Sequence, residues 1–302
     1  MSSAARRTTD AVRPRLRYLA AFGGAVMVAV VSVGVLLTQS NGFDAHVFWS
    51  AWSAGLYTRP AGLGVPDLYV YAPPLAQLLY PLTHLPWPLF WSMTVLVSGA
   101  AYVWLLRPVP LALRVPLLVA CSSSIAMGNL EWALALVAVL GLRRPYLWAL
   151  PLLTKITPGV GIVWFLARRQ WRELGIALGA TGIVVAASIA VSPDLWARFL
   201  AFMADNVRHH GSGYFFVGVL PPMPLVARTL VAVALVGWGA RKDHPWVLAM
   251  AMVLTQPDAS WNTLAILTAV PRLLGPSPVG TAPAQALARA LERSTTTAAP
   301  SS

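Results

Sequence analysis

The 302-residue chain alternates apolar runs with clusters of arginine, and the spacing of those clusters limits how the runs can be threaded through a bilayer. Lys and Arg are retained on the cytoplasmic side of a membrane protein, so each apolar segment must begin and end where its flanking charges allow. Runs at 18–37, 86–106, 174–191 and 223–240 come close to the ~20 residues of a full helical crossing. Others fall short. Residues 115–142 must leave and return between Arg114 and the Arg143–Arg144 pair, which leaves only about 13 residues for each arm. Residues 146–166 lie between Arg143–Arg144 and the cluster Arg168, Arg169 and Arg172, so a single crossing would strand one cluster outside. This segment reads as two half-length helices turning at Lys155-Ile156-Thr157-Pro158-Gly159, where Pro and Gly break the helix. A last short pair, 246–254 and 261–270, turns at Gln256-Pro257-Asp258-Ala259-Ser260. Non-helical backbone at such depth is tolerated only where it lines a cavity.

Composition excludes a soluble domain, since 57% of residues are hydrophobic and only 11% are charged. The expectation is an all-α polytopic membrane protein with about ten full or half-length helices. The formal charge of +12 does not indicate nucleic acid, because the arginines flank apolar runs and form neither stripe nor tail. Of the 22 Lys and Arg, all but Arg59, Arg198, Arg208, Arg228 and Lys155 fall on the cytoplasmic side of this threading. The first run follows five arginines, is long and lacks a small-residue cleavage site, so it reads as an uncleaved span. Cys121 has no partner for an intramolecular disulfide. The organisation expected is a basic cytoplasmic N-terminus (1–17), a transmembrane domain (18–274) with external loops at 38–72 and 192–222, and a disordered cytoplasmic tail (275–302) apart from a short helix around 284–292.

Ionised side chains cost about 2.5–3.5 kcal/mol near the centre of a bilayer, so each one needs a reason to be there. Here the polar residues gather on one side of the threading, which implies a cavity opening to the external face. Asp44 and His46 follow the first span; Gly128, Asn129 and Glu131 form one hairpin tip; Lys155 sits at the next; Gln256, Asp258 and Asn262 sit at the last. Asp205, Asn206, Arg208, His209 and His210 fall in the second external loop. Asp44 also fits a solvated loop residue, or the N-cap of a helix starting near His46. Lys155 also fits a snorkelling side chain, though its place beside a Pro-Gly break favours a buried anion site. Glu131 fits a polar hairpin tip equally well. His209 and His210 beside Asp205 have the residue types of a metal cluster, but adjacent histidines point apart and no His/Glu pair has helical spacing, so no metal is expected. Phe48, Trp49, Trp52 and Tyr57 have the spacing of an interfacial helix lying on the bilayer, or of one flanking a substrate entrance. No phosphate-binding Gly-rich loop, nucleophile elbow or zinc signature is present, and no cofactor is expected.

Taken in order, an Asp after the first span, the Tyr-x-Tyr-x-Pro-Pro stretch (Tyr69, Tyr71, Pro73, Pro74), a Gly-Asn hairpin tip and a Lys followed by Pro and the basic WFLARRQWREL form a pattern over residues 18–274. It resembles the actinobacterial α-(1→2)-mannosyltransferase-like group of GT-C glycosyltransferases. That resemblance implies a GT-C-like bundle in the plasma membrane. Its extracytoplasmic site would move a mannosyl residue, with inversion, from a polyprenyl-phosphate donor to a lipid-linked or cell-wall glycan acceptor. It also implies Asp44 as catalytic base. The chain departs from the group in being short, with a brief second external loop. The chemistry agrees: inverting transfer needs one carboxylate to take the acceptor's proton, and a phosphate leaving group needs cations to hold its charge. Lys155, Arg208 and His209 or His210 are the cation candidates, with His46, Tyr71, Asn129, Glu131, Gln256, Asp258 and Asn262 as substrate contacts. A secondary transporter would place broken helices around a central site, but the sequence shows no convincing internal repeat. A catalytically inactive membrane scaffold is the remaining alternative.

Overall fold

A computed structural model describes residues 3–38, 41–58, 68–210, 223–257 and 260–274, without the side chains of 3–17 and 206–210. No strand occurs among the described residues. In chain order the helices are α1 (Ser3–Thr38), α2 (Phe43–Ser50), α3 (Pro73–Leu79) and α4 (Trp87–Leu106), with a 3-10 turn at Tyr80–His84. Then follow α5 (Leu111–Ala120), α6 (Ser122–Met127), α7 (Glu131–Leu140), α8 (Ala149–Thr154), α9 (Val163–Ala167) and α10 (Trp171–Val191). Last come α11 (Pro193–His210), α12 (Leu225–Lys242), α13 (Val247–Leu254) and α14 (Val270–Leu273). Tight 3-10 segments at Pro145–Trp148, Thr157–Ile162 and Trp261–Ala269 complete the short arms.

Among the described residues, three helices are long and apolar enough to cross a membrane: Tyr18–Thr38, Trp87–Leu106 and Trp171–Val191. The fourth expected span is present as α12, but it carries Arg228, Arg241 and Lys242, which set it apart from those three. The short runs fold as the three broken hairpins that the arginine spacing demands. α5 and α6 meet α7 at Gly128, α8 meets the 157–162 segment at Lys155-Ile156, and α13 meets the 261–269 segment after Gln256. Proline sets several starts, at Pro86, Pro110 and Pro193, while Gly128 ends α6 with a left-handed φ of 71°. The hairpins pack on one another, α7 and α13 against 261–269 and α13 also against 157–162, around the fully buried Trp148, Trp164, Leu134, Met252 and Ile266.

The two ends of the bundle differ chemically. At one, Arg168 bonds Asp243 at 2.6 Å and the Ala240 carbonyl at 3.3 Å. There too Arg272 donates to the Trp104 carbonyl and stacks its guanidinium 3.6 Å above that ring, while Arg114 caps the Arg107 and Val109 carbonyls. At the other end lie the hairpin tips, α2, α3 and α11. Gln77 ties α3 to the end of α10 through the Ser188 carbonyl at 3.1 Å.

One expectation is corrected. The stretch from 193 to 210 is a helix, α11, and not a loop. Pro193 and Asp194 start it, and Leu195, Phe199 and Phe202 recur on one buried face. α2 packs its aromatic side on the protein. Phe48 is buried, Trp49 donates to the Leu85 carbonyl at 2.8 Å and Trp52 to that of Ala76 at 3.0 Å, so the aromatic run staples α2 to the layer formed by α3 and 80–86. Residues 275–302 lie outside the described residues.

Candidate functional site

The site is assembled by close backbone approach at Gly128. A Cβ there would lie 2.6 Å from the Cβ of Ala45, so only glycine lets the first turn of α2 rest on this hairpin tip. The Gly42 N–H donates to the Ala126 carbonyl at 2.7 Å, and Trp91 donates to the same oxygen at 3.0 Å. Gly42 is the N-cap of α2, with φ 78°, so Asp44 is not a cap; it stands in the first turn, half-buried. Unpaired N–H groups and the helix dipole favour a carboxylate there. One turn further, on the same face of α2, the Phe48 ring meets Tyr71 at 5.3 Å. His46 is held between the rings of Trp49 and Trp87, with centroids at 5.3 and 5.0 Å.

Beneath α2 runs a buried polar chain. The Tyr102 hydroxyl donates to Ser124 at 2.8 Å, and Ser124 donates to the Asn129 side-chain oxygen at 2.8 Å. Two residues on, Glu131 bonds the Lys155 ammonium at 3.0 Å. The side chains are 3% and 10% exposed respectively, so both charges are nearly stripped of water. The second carboxylate oxygen of Glu131 is buried with no hydrogen-bond partner among the described residues. Desolvating two charges is offset only when geometry is good and the remaining lone pairs are satisfied, and this pair leaves one unsatisfied.

Lys155 also forms part of the wall of a cavity of about 360 Å³, with Tyr71, Ile156, Trp196, Phe199 and Met203. The cavity is mostly apolar and sits between the second hairpin tip and α11. Tyr57 backs it, donating to the Tyr71 carbonyl and packing on Phe199 and Phe202 at 5.3 and 5.7 Å. Burial pushes the Tyr57 phenol above its usual range, although Arg198 opposes this, so Tyr57 serves as a neutral donor.

The structure thus unites Asn129, Glu131, Lys155 and Tyr71, and it places Asp44 one helical turn from Phe48, which touches a cavity wall. Asn262 is buried at the base of the tips, where it accepts from Ser123 at 2.7 Å and donates to the Met127 sulfur at 2.8 Å. Gln256 is fully buried and neither amide atom has a partner among the described residues. Asp258 lies outside the described residues, and Arg208, His209 and His210 end α11 with side chains that are not described. Sequence reading passed over Arg228, which is buried and donates to the Gln256 and Leu254 carbonyls at 3.0 and 3.3 Å. An arginine in the first turn of an otherwise apolar helix was the available signal.

These features define a multi-helix membrane protein with its buried polar groups concentrated at one end. The family model for Glycosyltransferase family 87 matches residues 69–274, more than half of the chain, and the protein belongs to that family. The matched region contains Tyr71, Asn129, Glu131, Lys155, Gln256 and Asn262, whereas Asp44 and His46 precede it. No curated protein and no solved structure matches the chain.

Proposed function

We propose that this glycosyltransferase moves a mannosyl residue from polyprenyl-phosphate-mannose to a lipid-linked or cell-wall glycan, at the external face of the plasma membrane. The observation that carries this reading is the Lys155 ammonium, paired with Glu131, in the wall of a mostly apolar cavity. A buried cation beside apolar walls suits an anion that carries a hydrocarbon chain. In this reading the Asp44 carboxylate takes the proton of the acceptor hydroxyl, whose oxygen forms a new bond to the anomeric carbon. The bond from that carbon to the phosphate oxygen breaks on the opposite face, and polyprenyl phosphate leaves with the electron pair and the anomeric configuration inverted. Lys155 holds the phosphate charge, where a fixed cation in a water-poor site is worth far more than in water. Arg208 and His209 or His210, at the end of α11, are further phosphate contacts, and Asp258 orients a sugar hydroxyl. The donor's chain stays in the bilayer, which is why no nucleotide-binding domain is required.

The external placement is supported by the gathering of Arg107, Arg114, Arg168 and Arg272 at the opposite end of the bundle. It is tested by single cysteines in a Cys121→Ser background. A cysteine at Thr58 should react with a membrane-impermeant thiol reagent applied outside, and cysteines at Arg143 and Arg172 should not. Labelling at only one of the latter two would make the Lys155 segment a full crossing. For the activity, purified protein should transfer sugar from radiolabelled polyprenyl-phosphate-mannose to a lipid acceptor, which neither a transporter nor a scaffold would do.

A further inference from the structure

Ile156, next to Lys155, has φ 52° and ψ −61°, and the Thr157 N–H donates to the Lys155 carbonyl at 2.5 Å. This is a γ-turn of the rare, strained hand, centred on a β-branched residue for which positive φ is a true outlier. Burial gives little reward for the choice, because Ile156 is 57% exposed. Glycine would adopt this backbone without penalty. Strain of this kind persists only where the surroundings over-determine it, and here they do. The arms on either side of the turn cross too closely for a longer connection. A Cβ on Gly159 would come within 2.4 Å of Leu152, and one on Gly161 within 1.9 Å of the Trp148 ring. The Thr157 hydroxyl also donates to the Lys155 carbonyl at 3.1 Å, and the Gly159 N–H donates to the Ile156 carbonyl at 2.9 Å, so the reversal is confined to three residues. On its N-terminal side the ammonium of Lys155 is fixed by Glu131 at 3.0 Å.

We propose that Ile156 is a positioning residue: its stiff, strained turn fixes the Lys155 backbone so that the ammonium stays between Glu131 and the cavity. The β-branch matters because it restricts φ, ψ and χ1 of the turn, whereas glycine would let the tip sample several conformations and release the lysine from its aim. The inference rests on the reading of Lys155 as the donor-phosphate ligand, and it assigns the aiming of that lysine to its neighbour.

Three full-length variants test it: Ile156→Gly, Ile156→Asn, which lacks the β-branch and accepts positive φ more readily, and Ile156→Val, which keeps the β-branch. Relief of strain should leave the apparent Tm of the Gly and Asn variants unchanged or raised by about 2 °C. In both, KM for polyprenyl-phosphate-mannose should rise about tenfold with kcat changed less than about threefold, the pattern of lost binding. Val should restore the wild-type KM. Independently of any donor, Lys155→Met and Glu131→Gln should be non-additive in thermal stability in the wild-type background and closer to additive with Ile156→Gly. Unchanged donor KM and unchanged coupling in the Gly variant would overturn the proposal, as would a lowered Tm in both Gly and Asn variants, which would make Ile156 a packing residue. A wild-type protein without transfer from this donor would sink the donor reading, while the thermal coupling would still decide whether Ile156 aims Lys155.

Discussion

The two ends of the bundle each carry an ion pair, and the pairs differ in how far they are withdrawn from water. Arg168 and Asp243 meet at 2.6 Å with side chains 21% and 38% exposed, and Arg168 also bonds the Ala240 carbonyl. Lys155 and Glu131 meet at 3.0 Å almost out of water, with one carboxylate oxygen left unsatisfied. A solvated pair is cheap to form and contributes little. A buried one costs several kcal/mol per ion before its attraction is counted. A fold needing only a closed hairpin packing could have placed apolar side chains at both positions. Retaining a costly pair in the wall of a cavity, while the other end keeps its charges wet, makes the two ends chemically distinct, and the proposed function draws on the buried one.

That contrast can be broken from either side. The largest effect is expected for Lys155→Met, which leaves Glu131 charged and unpaired. Stability should fall by about 3–5 kcal/mol, read by thermal or denaturant unfolding, with transfer lost. The double variant Lys155→Met with Glu131→Gln should recover much of the stability and none of the transfer. Recovery of transfer would mean that the pair serves packing alone. Gly128→Ala should come next. The added methyl meets Ala45 at 2.6 Å, and the left-handed φ strains any side chain, so α2 must shift and carry Asp44 with it. Displacement of a reacting group by about 1 Å lowers rate about a hundredfold, and kcat should fall on that scale with donor KM little changed. Arg168→Ala, at the other end, should be smallest, with a loss of about 1 kcal/mol or less and transfer at the wild-type rate. A transfer defect there would dissolve the division between the ends.

Much of the frame was legible because it rests on local rules. Arginine spacing and run length dictate which segments can cross, and the structure places α4, α10 and α12 within a few residues of the expected runs. The breaks at Gly128 and at Lys155-Ile156 were marked by Gly and Pro. α11 escaped because its apolar face is interleaved with Arg198 and Asp205, lowering its mean hydropathy, although the recurrence of Leu195, Phe199 and Phe202 was there to be counted. Glu131 and Lys155 were each singled out, but their pairing spans 24 residues and depends on how two hairpins stack, which no local pattern encodes. The same holds for Arg228 and the carbonyls of the third hairpin. The γ-turn was invisible for a different reason: the break at 155–159 was marked by Pro158 and Gly159, but no residue type there signals a positive φ at the β-branched Ile156, and only the crossing of the arms at Gly159 and Gly161 forces it over.

The central claim is that one carboxylate, Asp44, works at the buried-pair end of this family 87 glycosyltransferase. Comparison of sugar transfer from radiolabelled polyprenyl-phosphate-mannose by purified wild-type protein and Asp44→Asn tests it most directly, with apparent Tm measured on both. The wild type should form a glycan product of inverted anomeric configuration. Asp44→Asn should lose about 10²–10⁴-fold in rate with an unchanged Tm, because a half-buried first-turn side chain carries little of the packing. Near-normal turnover in a folded Asp44→Asn variant would contradict the account and move the base to another residue.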